Sequence, residues 1–286
     1  MEQFGAIEIG GTKTLVAVGS TWDDLSPPHR IATTDPDETL GAVVAYLAEH
    51  DLTAVGVCSF GPLDLDPMST RFGTMQFTPK RGWSNTPVRD LLQTALGMPV
   101  VIDTDVNGAA LGEGRWGATQ RMTNFAYVTV GTGVGAGIVV DGKTITHPRH
   151  PEMGHVAVRR LSDDPHPGSC PYHGDCLEGL AAGPALESRF GVPESWAGND
   201  QVLRLVNGYL AQGLLDLIYI AGPERIVVGG GVTRLPGFHD DLRHRLGAMM
   251  AGYPQMPDLD LLVSPPGLGT LSGLAGGLVL AATGLR

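Results

Sequence analysis

Positive charge is scarce in this sequence: 19 Lys and Arg stand against 30 Asp and Glu, giving a formal charge of −11 at pH 7. Nucleic-acid binding needs a basic face, so this balance argues against that class of function. Cysteine is scarcer still, with three in 286 residues. An odd count, with Cys58 inside the apolar run 54–59, disfavours an oxidised framework. A membrane span is also missing. Residues 268–285 carry no charge, but glycine, Ser and Thr interrupt them, and a span needs about 20 predominantly apolar residues. The stretch reads instead as a helix packed closely into the protein. No basic, apolar leader opens the chain and Glu8 breaks the first apolar run, so a cytoplasmic location is expected.

What the chain has in quantity is glycine, 41 residues of it, a sign of tight turns or of backbone close to a ligand. Phe4 to Ile9 and Thr14 to Val18 read as two antiparallel strands joined by Gly10, Gly11, Thr12 and Lys13. Adjacent glycines there let backbone amides and the Thr12 hydroxyl face an anion, although a plain hairpin turn has the same composition. Phe125 to Val130 and Ala136 to Val140 repeat the arrangement around Gly131, Thr132, Gly133, Val134 and Gly135. No helix follows that second turn, so it is not a dinucleotide fingerprint. Two glycine hairpins, each opening a run of alternating strands and helices, predict an α/β protein of two similar halves.

Further along each half, Asp103 and Asp105 fall where a strand over 99–102 gives way to a helix. Ligands gather at the carboxyl ends of strands in open α/β sheets. A helix N-cap explains one of the two carboxylates, not both. Thr86 is expected to cap a helix starting at Pro87, with Val88, Leu91, Leu92, Ala95 and Leu96 on its buried face. Gly229, Gly230 and Gly231 end a strand over 225–228 and leave room for a flat ring or a ribose, or simply form a loop.

Residues 150–178 hold the densest chemistry. Cys170, His173 and Cys176 follow one another with two residues between each, the spacing of chelating pairs that hold structural Zn2+ in tetrahedral geometry. The fourth ligand is a histidine from outside that run, with His147, His150, His155 and His166 all in contention. Free thiols in a segment of Pro, His, Gly and Asp fit poorly with the usual burial of cysteine.

These features in this order resemble the ROK family, and within it the bacterial zinc-containing fructokinases. The resemblance rests on Gly10 to Lys13, the segment from Asp103 to Glu113, Gly131 to Gly135, Glu152 to His155, the Cys and His run ending in Glu178, and Gly229 to Gly231. Residues 61–66 and 78–83 resemble the fructokinase branch in particular. The resemblance implies an actin-like, ribonuclease-H-like fold of two domains about a cleft, residues 1–104 with about 270–286 and residues 105–269. It implies ATP with Mg2+ as phosphoryl donor, and Asp105 as the base on a hexose hydroxyl. Fructose is the implied sugar, with glucose and mannose as alternatives, and a non-catalytic sugar-binding protein as the second class of function.

By the same resemblance Asn107, Glu152, His155 and Glu178 hold the sugar. Gly10, Gly11, Thr12, Lys13, Gly131, Thr132, Gly133, Gly229, Gly230 and Gly231 take the nucleotide, and His155 joins Cys170, His173 and Cys176 on Zn2+. Many family members have Asp beside the magnesium shell at the position of Glu8, whereas the fructokinase branch resembles this chain in carrying Glu there. A homodimer is expected, and neither nucleic acid nor membrane is a partner.

Overall fold

The computed structural model describes residues 2–146, 150–253 and 258–284. His147, one of the four candidate ligands, lies outside them. The chain forms two compact units, Met1–Arg121 with Thr144–His150 and Gly267–Arg286, and Met122–Lys143 with Pro151–Pro266.

The first unit begins with β1 (Phe4–Ile9), β2 (Lys13–Gly19) and β3 (His29–Ala32), then α1 (Pro36–Leu47), β4 (Ala54–Ser59), α2 (Val88–Leu96), β5 (Val100–Thr104) and α3 (Asp105–Trp116). The strands form one sheet in the order β3-β2-β1-β4-β5. β1 and β2 are antiparallel around the first glycine turn, whereas β4 lies parallel to β1 and β5 parallel to β4. Asp35 starts α1 by accepting from the Glu38 N–H at 3.0 Å, with Pro36 at the first helical position, where a missing N–H does no harm. The expected cap at Thr86 is not made: Pro87 occupies the cap position, and the Thr86 hydroxyl donates to the Gly82 carbonyl instead. Leu91, expected on the buried face of α2, is 43% exposed, and the helix packs through Val88 and Leu92.

The second unit carries β6 (Phe125–Val130), β7 (Val134–Val140) and β8 (Lys143–Thr144), a 3-10 turn at Met153–His155, α4 (Leu177–Ala181), α5 (Gly183–Phe190) and α6 (Asp200–Ala221). It continues through β9 (Arg225–Gly229), α7 (Phe238–Met250), α8 (Leu259–Leu262) and β10 (Val263–Ser264). Its sheet runs β8-β7-β6-β9-β10. Counted from the first strand of each unit, both sheets therefore have the order 3-2-1-4-5, and both glycine turns join strands one and two. The core of the second unit packs against α6, whose buried face includes Leu205, Tyr209, Leu210 and Leu214.

The chain then returns to the first unit as α9 (Ser272–Thr283). The apolar segment near the C-terminus is thus a buried helix of 12 residues. It lies backbone to backbone with α3, so closely that a Cβ at Gly276 would come within 1.9 Å of the Gly108 carbonyl oxygen. At the far end of α3, buried Glu113 accepts from the N–H groups of Ala118 (2.7 Å), Gly267 (2.9 Å) and Leu268 (3.1 Å) and from the Ser272 hydroxyl (2.7 Å). Four donors satisfy a carboxylate that burial would otherwise penalise. No described helix is long and apolar enough to cross a membrane.

Candidate functional site

In the first unit the relevant groups lie at the carboxyl ends of β1 and β5. Asp103 is the penultimate residue of β5, and Asp105 opens α3. The helix cap is Thr104, whose hydroxyl accepts from the Asn107 N–H at 3.2 Å, so neither aspartate is used up as the N-cap. Asp103 accepts from the Thr104 N–H (2.7 Å) and the Asn107 side-chain amide (2.8 Å). Burial raises the Asp103 pKa, with these two hydrogen bonds and the nearby His150 opposing it. Asp105 accepts from the Val106 N–H at 2.9 Å. Asn107 is fully buried, and its side-chain oxygen has no hydrogen-bond partner.

Glu8, one strand away, is half-buried, but its Oε2 is shut off from solvent and has no hydrogen-bond partner. Desolvation first, and the charge of Asp105 second, raise its pKa from 4.5 to about 7, against the pull of Lys13. Lys13 itself closes the glycine turn, its carbonyl accepting from the Gly10 N–H at 2.9 Å. That Oε2 lies against α9, where a Cβ on Gly273 would meet it at 2.5 Å, and a carboxylate this poorly solvated, with a second negative charge acting on it, suits a nearby divalent cation.

In the second unit the other predicted residues fall into two neighbouring groups. The turn at Gly131 folds back on itself through Gly131 N–H to Gly133 carbonyl (2.9 Å), and the Gly183 N–H donates to the Gly131 carbonyl at 2.7 Å. Glu178, at the start of α4, accepts from the Val134 N–H at 3.0 Å, and a Cβ at Gly133 would meet it at 2.6 Å. Gly230 has φ +101°, open to glycine and strained for other residues, and a side chain there would strike the Val130 carbonyl at 2.3 Å. The triple glycine and the Gly131 turn therefore share one end of the sheet.

Beside them Glu152 precedes the 3-10 turn, its carbonyl accepting from the His155 N–H at 3.0 Å. A Cβ on Gly154 would sit 2.0 Å from the Val134 carbonyl, so the turn that carries His155 is pressed against the glycine hairpin. His155, Cys170, His173 and Cys176 converge, with all four candidate donor atoms within 4.8 Å of one another. His155 Nδ1 lies 3.7 Å from each cysteine sulfur, and His173 Nδ1 lies 3.8 Å from Cys170 Sγ. A tetrahedral ion with the usual zinc bond lengths sets N to S separations of about 3.6 Å, so the donor set and its spacing fit. His166 is not in the group, since its Nδ1 accepts from the Gly168 N–H. His150 lies in the first unit, against Gly61.

The base of this loop is fastened without any ion. Arg189 donates to Asp164 through Nε (3.1 Å) and Nη2 (2.6 Å), and Tyr209 donates to the same carboxylate at 2.7 Å. Burial works against the charge on Asp164, but these donors and the His166 N–H outweigh it and lower the pKa to about 2.

Sequence reasoning left Lys80 and Trp83 without a role. Trp83 is fully buried, and its indole N–H donates to the Thr34 carbonyl at 2.7 Å. The Lys80 ammonium donates to the carbonyls of Gly11 (2.7 Å) and Thr33 (2.9 Å). Only the composition of residues 78–83 hinted at either.

Comparison with known proteins shows the family. The ROK family model matches residues 4–283. A fructokinase of Zymomonas mobilis is 40% identical, covering 97% of this chain and 96% of that protein, and a fructokinase of Pediococcus pentosaceus is 38% identical over 99% and 98%. Among solved structures, a ROK family glucokinase from Streptomyces griseus in complex with glucose and AMPPNP superposes with a TM-score of 0.81 at 26% identity, covering 98% of this chain and 99% of that one.

Proposed function

Because the chain belongs to the ROK family and has its actin-like fold, we propose that it is an ATP-dependent hexose kinase acting on fructose. What supports this reading is that Asp105 stands at the end of β5 without serving as the helix cap, and that each sheet has a glycine turn between its first and second strands. The preference for fructose over glucose follows from the relatives: those at 38–40% identity are named fructokinases, whereas named glucokinases are 26–27% identical.

In this mechanism Asp105 accepts the proton of the sugar's terminal hydroxyl as that oxygen attacks the γ-phosphorus. A new P–O bond forms, the bond to the β-phosphate bridge breaks, and ADP leaves. The turns Gly10 to Lys13 and Gly131 to Gly133 receive the phosphates through the amides that are not spent on closing the turns, those of Gly11 and Thr12 and of Thr132 and Gly133, and the space at Gly229 to Gly231 receives the nucleoside. Glu152, His155, Glu178 and Asn107 take the sugar hydroxyls, carboxylates as acceptors and the imidazole as donor or acceptor. Glu8 and Asp105 are the carboxylates that would hold Mg2+, which would supply positive charge to the phosphates. His155, Cys170, His173 and Cys176 would hold a structural Zn2+, which would fix the imidazole ring so that the second nitrogen of His155 can meet the sugar. The working unit in this reading is a cytoplasmic homodimer.

A coupled ADP-release assay across fructose, glucose and mannose tests the assignment. Asp105→Asn should lower turnover by roughly 10²–10⁴-fold while sugar binding is kept. A variant with the native rate would remove Asp105 from its role. Native protein that binds sugar without releasing ADP would make this a sensor instead.

A further inference from the structure

Lys80 lies 69 positions from Gly11 in sequence, yet its ammonium donates to the Gly11 carbonyl at 2.7 Å and to the Thr33 carbonyl at 2.9 Å. The second contact reaches the residue whose N–H donates to the Thr12 carbonyl at 3.2 Å. Both carbonyls belong to backbone at the glycine turn, so one cation grips the turn and the segment alongside it. Trp83 completes the attachment through the Thr34 carbonyl and is fully buried, so the loop that carries Lys80 is itself anchored. A peptide unit is planar and trans, with its C=O and N–H pointing in opposite directions. Holding the Gly11 carbonyl toward Lys80 therefore turns the Thr12 N–H the other way, away from Lys80.

We infer that Lys80 is a positioning residue for the nucleotide's phosphates, setting the peptide plane that presents the Thr12 N–H to the phosphate chain. Glycine makes the device necessary, because Gly10 and Gly11 give the turn the freedom to flip that plane. In a chain with few cations, a lysine used on two carbonyls stands out as a commitment to loop geometry. The carbonyls take two of its three N–H donors, which fixes the direction of the side chain. The inference rests on the kinase reading and on Gly10 to Lys13 as a phosphate turn.

Calorimetric titration with magnesium and AMPPNP, and separately with AMP, tests it on the full chain. In Lys80→Met the dissociation constant for AMPPNP should rise about tenfold or more, the scale of a lost charge-assisted hydrogen bond. AMP affinity and the KM for fructose should each stay within about twofold, and Lys80→Arg, which keeps a charged donor, should recover most of the loss. An unchanged AMPPNP constant, an equal loss for AMP, or a rise confined to the fructose KM would overturn the inference. The last of these would make Lys80 a sugar contact. Should Lys80→Met fail to fold, Lys80→Gln, which removes the charge and keeps only a shorter, neutral amide donor, carries the same comparison. Wild-type protein that binds neither nucleotide would overturn the kinase reading itself, a result distinct from any of these.

Discussion

Replacing Glu8 by Gln should make the protein more stable above neutral pH, although the substitution removes a charge beside a proposed active site. Between 4.5 and about 7 the folded protein holds a proton on Glu8 that the unfolded chain has already released. Stability therefore falls as pH rises through that window, and the loss is complete above pH 7. At about 1.4 kcal/mol per pH unit the ceiling is about 3 kcal/mol, and with one edge of the residue open to water about 2 kcal/mol is the working figure. Gln has the same shape and no charge. Because Oε2 has no hydrogen-bond partner, exchanging it for an amide breaks no bond. Denaturant midpoints in magnesium-free buffer should show Glu8→Gln more stable by about 2 kcal/mol at pH 8 and within about 0.5 kcal/mol of the native protein at pH 5. A gap that is equal at both pH values, or a variant less stable at pH 8, would refute the electrostatic account. Magnesium should narrow the gap by giving the ionised Glu8 a partner.

Asp164 has the opposite sign. Its pKa is depressed from 3.8 to about 2, so its contribution of about 2 kcal/mol is present above pH 4 and is lost as pH falls through 2. Asp164→Asn should cost about 3–5 kcal/mol at pH 7, because it leaves buried Arg189 without a counter-charge. The deficit should shrink toward pH 2 in acid-denaturation curves. Native mass spectrometry should find one Zn2+ per chain, and Cys176→Ser or chelation should lower the melting temperature and raise the fructose KM, since His155 loses its anchor. Metal-free native protein with unchanged melting would end the zinc reading.

Much of this fold could be read from one dimension, for a physical reason. Phe4–Ile9 and Ala54–Ser59 are apolar runs bounded by turn residues, and the structure forms strands over those same residues. The strand His29–Ala32 escaped notice because it is a largely exposed edge with no apolar run to mark it. The two-residue strand Val263–Ser264 carries no periodicity at all. Three members of the metal cluster were visible in their spacing. Spacing did not show the fourth, since it leaves four histidines equivalent; the family resemblance pointed to His155, and the fold brings that residue to Cys170 and Cys176. Thr104 was missed as the cap because two aspartates flank it, and both are good caps by type. Lys80 was beyond reach for the plainest reason: nothing local connects it to a turn 69 positions earlier.

The carboxylate of Glu113 has a topological consequence. One of its oxygens accepts from Ala118, where the polypeptide departs, and from Gly267, where it comes back. For α3 and α9, everything between those residues is an excursion whose two ends already touch. The entropy of closing so long a loop grows only with the logarithm of its length. The intervening stretch can therefore lengthen or shorten over evolutionary time with little strain on the helix pair that frames it.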